Sequence, residues 1–191
     1  MKRLLILIAF ILLAVPVMAQ QQEEDPDAQY ATELLKPGVT VPDFTLNDLR
    51  GKARTLSEFR GKQVVLVFWA SWCPDCRAEV PELRAMMAEA DPAKVAFVSV
   101  SFDRDFDTLC KFVEDNYIGG VQLFDPAGKK ESKVGADFNI KWIPSLYLID
   151  ESGKVLVSTV VAGKIAAALK SSAAIPAIGN KGVCTEESCS L

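Results

Sequence analysis

VVLVFWASWCPDCRAEVPEL, residues 64 to 83, decides the fold. Val64 to Ala70 is an unbroken apolar run rich in β-branched and aromatic residues, the composition of a strand buried on both faces of a parallel sheet. Cys73 and Cys76 follow, two residues apart, where a helical pattern takes over. Pro74 suits the first helical turn, where its missing N–H costs nothing. The spacing predicts a helix from Pro74 to Ala90, kinked at Pro81, and a second buried strand, VAFVSVS, from Val95 to Ser101. Strand, helix, strand at this spacing makes a βαβ unit.

The flanks are weaker but readable. Val41 to Leu46 alternates like a strand, Asp48 to Gly51 supplies turn chemistry, and Thr55-Leu56 begins the return of a β-hairpin. Residues 104 to 117 read as an amphipathic helix with Phe106, Leu109, Val113 and Tyr117 on its apolar face and Cys110 beside them, facing the core as a small hydrophobe. Residues 121 to 141 form a mixed connection with a short strand near 122–124 and a short helix near 130–138. Strands at 145–149 and 154–160 flank the turn Asp150-Glu151-Ser152-Gly153, and a helix closes the domain near 164–171.

The first 19 residues stand apart: Met1-Lys2-Arg3, an apolar run from Leu4 to Val15, then small residues to Ala19. This is the pattern of a cleaved export signal, and the run is short for a membrane span of ~20 residues. The location expected is therefore periplasmic, the alternative being an uncleaved N-terminal anchor. A polar lead-in covers 20–37, the domain 38–172, and a tail rich in small residues 173–191. Loss of Lys2 and Arg3 moves the formal net charge from −4 to −6, and no basic cluster appears, which argues against a nucleic-acid partner.

The chain has no histidine, which excludes Ser-His and Cys-His catalysis and histidine-containing metal sites. Five cysteines leave at least one without an intramolecular partner. Disulfide exchange needs an attacking thiolate and a second thiol that resolves the mixed disulfide. Cys73, at the helix N-terminus, has the dipole and free N–H groups that favour a thiolate; Cys76, one turn inside, is placed to resolve. Asp75 sets a negative charge beside the pair, opposing the thiolate and favouring a reducing couple. Glu79, a further turn along, is a candidate proton relay for Cys76, or a surface glutamate. Pro144, in Ile143-Pro144-Ser145, sits before a strand and is either an ordinary trans proline or a cis one beside the cysteines. A structural disulfide or a four-cysteine zinc site is the rival reading of the pair. The latter needs Cys184 and Cys189, whose spacing is loose for ligands. Those two cysteines can close a disulfide of their own, as a structural clip or as a second redox pair.

FWASWCPDC resembles the active-site segment of the thioredoxin superfamily. PDFTLNDLRGK, LSEFRGKQVVLVFWASWCPDCRAEVPEL, the strand ending SFD, and IPSLYLIDESGKV together resemble its exported TlpA/ResA branch over residues 38 to 170. The resemblance implies an α/β thioredoxin-like fold, a central mixed sheet flanked by helices, with an N-terminal β-hairpin and the branch's insertion at 119–141. It implies Cys73 as nucleophile, Cys76 as resolving cysteine, Pro144 as the cis-proline, and Glu79 as the glutamate of the CxxExP pattern. Trp72, Pro74, Ile143 and Pro144 are the expected substrate-facing residues. Where cytoplasmic relatives carry a buried aspartate the chain has Val67. The activity implied is reduction of disulfides in exported proteins by a monomer with no organic cofactor and no metal, recharged by a membrane or periplasmic thiol donor. Oxidation or isomerisation of disulfides, or a metallochaperone, are the alternatives. The tail lies outside the resemblance.

Overall fold

The computed structural model describes residues 24–173, so the expected export signal and the Cys184/Cys189 tail lie outside the described residues. Helix α1 (Pro26–Tyr30) leads to a hairpin of β1 (Thr45–Asp48) and β2 (Ala53–Thr55), then a 3-10 turn at Leu56–Phe59. The central unit follows: β3 (Gln63–Trp69), α2 (Pro74–Glu89), β4 (Val95–Ser101), α3 (Phe106–Asp115) and β5 (Val121–Phe124). Two short helices, α4 (Gly128–Glu131) and α5 (Lys133–Asp137), precede β6 (Ser145–Ile149), β7 (Val155–Thr159) and α6 (Ala162–Ala173).

The seven strands form one sheet in the order β2-β1-β5-β4-β3-β6-β7. β3, β4 and β5 run parallel; β1 pairs antiparallel with β2 and β5, β6 with β3 and β7. The sheet is thus mixed, with β3 near its centre and the cysteines at the C-terminal end of that strand. Alternation along β3 sends neighbouring side chains to opposite faces. Phe68 lies fully buried among Phe102, Phe138 and Tyr147, while Trp69 packs on Phe112 of α3. Helices α2, α3 and α6 lie together: Arg77 of α2 sits over Phe112, and Glu79 of α2 meets the first residue of α6.

Several expectations are corrected. Tyr117 is not on the apolar face of α3. That helix ends at Asp115, and Tyr117 takes a left-handed conformation (φ 51°), 78% exposed, with Arg84 over its ring. The chain must reverse there to enter β5. Gly120 (φ 75°) completes the turn so close to Phe97 that a Cβ would lie 2.7 Å from its carbonyl oxygen. Phe106 is exposed, which leaves Leu109 as the fully buried anchor of α3. Cys110 is half-buried rather than a core residue. The hairpin is present but shifted: Val41 and Phe44 are buried outside any strand, and pairing begins at Thr45. The helix at Pro74 is present as expected, from Pro74 to Glu89 with Pro81 inside it.

The acidic arm has a role its composition did not announce. Asp25 caps α1 and pairs with Lys164. The Asp27 carboxylate accepts from Thr159 Oγ1 and Val160 N at 2.8 Å and pairs with Lys164. Tyr30 stacks on Trp142 at 4.5 Å between ring centres, covering the segment that leads into Pro144.

Candidate active site

Cys73 is the N-cap of α2, with extended backbone (φ −82°, ψ 119°), and Pro74 is the first helical residue. A serine or aspartate at an N-cap accepts from the N–H three residues on. Here the sulfur takes that place: Cys73 Sγ accepts from Cys76 N at 3.5 Å. As a thiol it also donates to Ile143 O at 3.5 Å. Ile143-Pro144 is a cis peptide bond, so the segment expected from sequence does lie against the cysteines. Both cysteines are free and buried.

The environment separates the two sulfurs. Burial pushes the Cys76 thiol far above the ordinary range. Its hydrogen bond to the Cys73 sulfur and the nearby charges of Cys73 and Asp75 act the same way, against a bond with the Ala70 backbone. Burial therefore favours the protonated form of Cys76, whose backbone N–H is directed at the Cys73 sulfur.

Glu79 stands at the edge of this site. Its Oε2 accepts from Ala162 N at 2.9 Å, the N-terminus of α6. Burial raises its pKa; the Ala162 bond opposes, and the Glu82 carboxylate adds to the rise. Cys76, Glu79, Val67, Trp69 and Pro144 line a common cavity of 10 Å³, about the space of one water. Val67 and Glu79 thus face the same space: where β3 supplies no carboxylate, α2 does.

One supporting residue escaped the reading of the residues themselves. Asp103, 2% exposed, accepts from Ser71 N at 2.9 Å, Ser71 Oγ at 2.7 Å and Ser101 Oγ at 2.6 Å. It clamps the loop between β3 and Cys73 to the end of β4. The motif SFD contains it together with Ser101, but Ser71 lies 32 residues away and no spacing reveals that contact.

Trp72 is 57% exposed beside Cys73. With Ser71 it forms one end of a groove of 640 Å³ that continues over Phe102 and Arg104 to Lys129 and Lys130 of α4. Pro74 is exposed on the same surface. Among the described residues no group of three or more histidine, cysteine or acidic side chains is arranged to hold a metal ion.

The arrangement can perform thiol–disulfide exchange: one sulfur at a helix N-terminus, a second sulfur on the next turn, and a backbone carbonyl facing the first. The comparisons with known proteins point the same way. The AhpC/TSA family model matches residues 37–158. Thioredoxin-like protein YneN of Bacillus subtilis is 33% identical over 125 residues, 63% of this chain and 69% of that one. Thiol-disulfide oxidoreductase ResA of Geobacillus kaustophilus is 31% identical over 118 residues, covering 62% and 66%. The crystal structure of the thioredoxin domain of a thiol-disulfide oxidoreductase from Bacteroides vulgatus superposes with a TM-score of 0.66 at 25% identity, over 72% of this chain and 97% of that one. A parallel–antiparallel sheet with a cysteine pair capping a helix at its centre, together with these matches, makes the chain a member of the AhpC/TSA family within the thioredoxin superfamily, a thioredoxin-like thiol–disulfide oxidoreductase.

Proposed function

We propose that the chain works as an exported protein-disulfide reductase, with Cys73 as nucleophile and Cys76 as resolving thiol. The observation that carries this reading is the geometry of the pair: Cys73 Sγ caps α2 and accepts from Cys76 N, while Cys76 lies one turn further in, where burial favours its protonated form. The Cys73 thiolate attacks a substrate disulfide, forming a mixed disulfide and expelling one substrate thiolate. Cys76 then loses its proton and attacks Cys73 Sγ. That step releases the reduced substrate and leaves a Cys73–Cys76 disulfide. A membrane or periplasmic thiol donor restores the dithiol.

Glu79 supports the second step as the group that takes the Cys76 proton, since it shares the cavity with Cys76 and burial raises its proton affinity. Trp72, Pro74, Ile143 and Pro144 form the substrate-facing surface, with the Ile143 carbonyl at the sulfur. Asp75 supports the reducing direction, its charge lying beside the sulfurs. The export pattern of residues 1–19 supports a periplasmic location; no helix of the described residues is long and apolar enough to cross a membrane. The test is the equilibrium of the Cys73/Cys76 couple against glutathione. A potential near that of thioredoxin, about −270 mV, supports the reductase; one near that of the strong oxidant DsbA, about −120 mV, overturns it.

A further inference from the structure

Among the described residues, the groove that ends at Trp72 has cations without ion-pair partners. Arg104 and Lys130 are exposed and Lys129 half-buried, and none of the three makes an ion pair within 4.0 Å among the described residues. Of the carboxylates on the same wall, Asp103 is taken by Ser71 and Ser101, and Asp105 by Thr108 N. Glu131 is exposed. The wall is neutral overall, so its free cations select acidic residues only when these are delivered to it.

The chain itself holds such a segment. Cys184-Thr185-Glu186-Glu187-Ser188-Cys189 places two carboxylates between two cysteines. Helix α6 ends at Ala173, with Ser172 hydrogen-bonded to Gln63 at the start of β3 and Lys170 paired with Glu89 at the end of α2. Its end therefore lies one helix length from Cys73, ~24 Å for the 16 residues of α2. Ten residues lie between Ala173 and Cys184, so eleven chain steps give a reach of up to ~36–40 Å. Attachment supplies an effective concentration on the order of millimolar.

We propose that the segment Cys184–Cys189 docks in this groove, Glu186 and Glu187 on Arg104, Lys129 and Lys130, and exchanges its disulfide with Cys73. This rests on Cys73 being the nucleophile. The Cys73 thiolate attacks the Cys184–Cys189 disulfide, one tail sulfur joins Cys73, and the other leaves as a thiolate that is then protonated. Cys76 gives up its proton and displaces the tail, so two electrons and two protons pass from the Cys73/Cys76 dithiol to the tail. The reverse step recharges Cys73/Cys76 from a reduced tail. The tail is thereby an electron carrier between the buried pair and an external partner.

The test uses the full chain with Cys110→Ala and Cys76→Ser, its tail oxidised, then acid-quenched and mapped by non-reducing peptide mass spectrometry. The expected product is Cys73 linked to Cys184 or Cys189 within one chain, in a yield unchanged over a tenfold range of protein concentration. Free Cys73 coexisting with an intact Cys184–Cys189 disulfide, or a link that forms only between chains, overturns the proposal. Arg104→Gln/Lys129→Gln/Lys130→Gln should slow the link at least tenfold while leaving the reaction of Cys73 with neutral hydroxyethyl disulfide unchanged. An unchanged link rate, or slowing confined to an unfolded protein substrate, overturns it. If the link is absent while the native chain still reduces insulin, the tail proposal fails and the reductase reading stands. If Cys73→Ser reduces insulin as well as the native chain, the reductase reading itself fails.

Discussion

Glu79 Oε2 accepts a hydrogen bond from Ala162 N at 2.9 Å, joining the helix that carries both cysteines to the first residue of the last helix. The carboxylate is thereby fixed on the cavity it shares with Cys76 instead of turning to solvent. Replacing it by Gln keeps an acceptor for Ala162 N but removes the ionisable group. The expected result for Glu79→Gln is an intact fold and a slower resolving step, with its dependence on pH flattened. Stopped-flow decay of a Cys73 mixed disulfide measures it; an unchanged profile removes the relay.

The same group makes stability depend on pH with a definite sign. Its folded pKa lies above the unfolded value, so the folded state holds more protons in the window between the two. Stability is therefore lost as pH rises through that window. Urea unfolding of the native chain and of Glu79→Gln should show a fall that the variant lacks; a difference that grows with pH in favour of the native chain contradicts the assignment.

Alkylation should read the asymmetry of the sulfurs directly. In a Cys110→Ala chain, limiting iodoacetamide at pH 7 should modify Cys73 at least tenfold faster than Cys76, whose thiol burial holds protonated. Peptide mapping of the first modified site checks this. Preferential labelling of Cys76 reverses the roles.

Asp103→Ala removes the acceptor for Ser71 N, Ser71 Oγ and Ser101 Oγ in a buried site. Stranding such donors costs about 1–3 kcal/mol and frees the loop that positions Cys73. Denaturant unfolding should show that loss, and the exchange rate should fall with it. Asp103→Asn, which keeps one acceptor oxygen, should recover part of both.

Asp27→Ala should loosen the arm from the end of β7, leaving Thr159 Oγ1 and Val160 N without their acceptor at a cost of about 1–2 kcal/mol. The readouts are the unfolding midpoint and tryptophan emission, since Trp142 stacks on Tyr30 of the same arm. An unchanged midpoint contradicts a structural role for the arm.

What could be read in the sequence was whatever depends on neighbours along the chain. The run from Val64 to Leu83 announced β3, α2 and the cysteine pair because strand composition, Pro74 and the CxxC spacing are all local. The resemblance supplied what spacing alone could not, above all Pro144, 68 residues beyond Cys76. Tyr117 was misplaced because periodicity continues past the point where the backbone turns left-handed. Asp103, Asp27 and the Tyr30–Trp142 stack were illegible because each acts on a partner distant in sequence, 32 residues for Asp103 and 132 for Asp27 with Thr159.

The measurement closest to the central claim is insulin reduction by the dithiol form, comparing the native chain with Cys73→Ser and Cys76→Ser at pH 7. The account predicts that Cys73→Ser abolishes turnover and forms no mixed disulfide, while Cys76→Ser forms the mixed disulfide through Cys73 and stalls there. Turnover that survives in Cys73→Ser, or a mixed disulfide trapped on Cys76 instead, would contradict it.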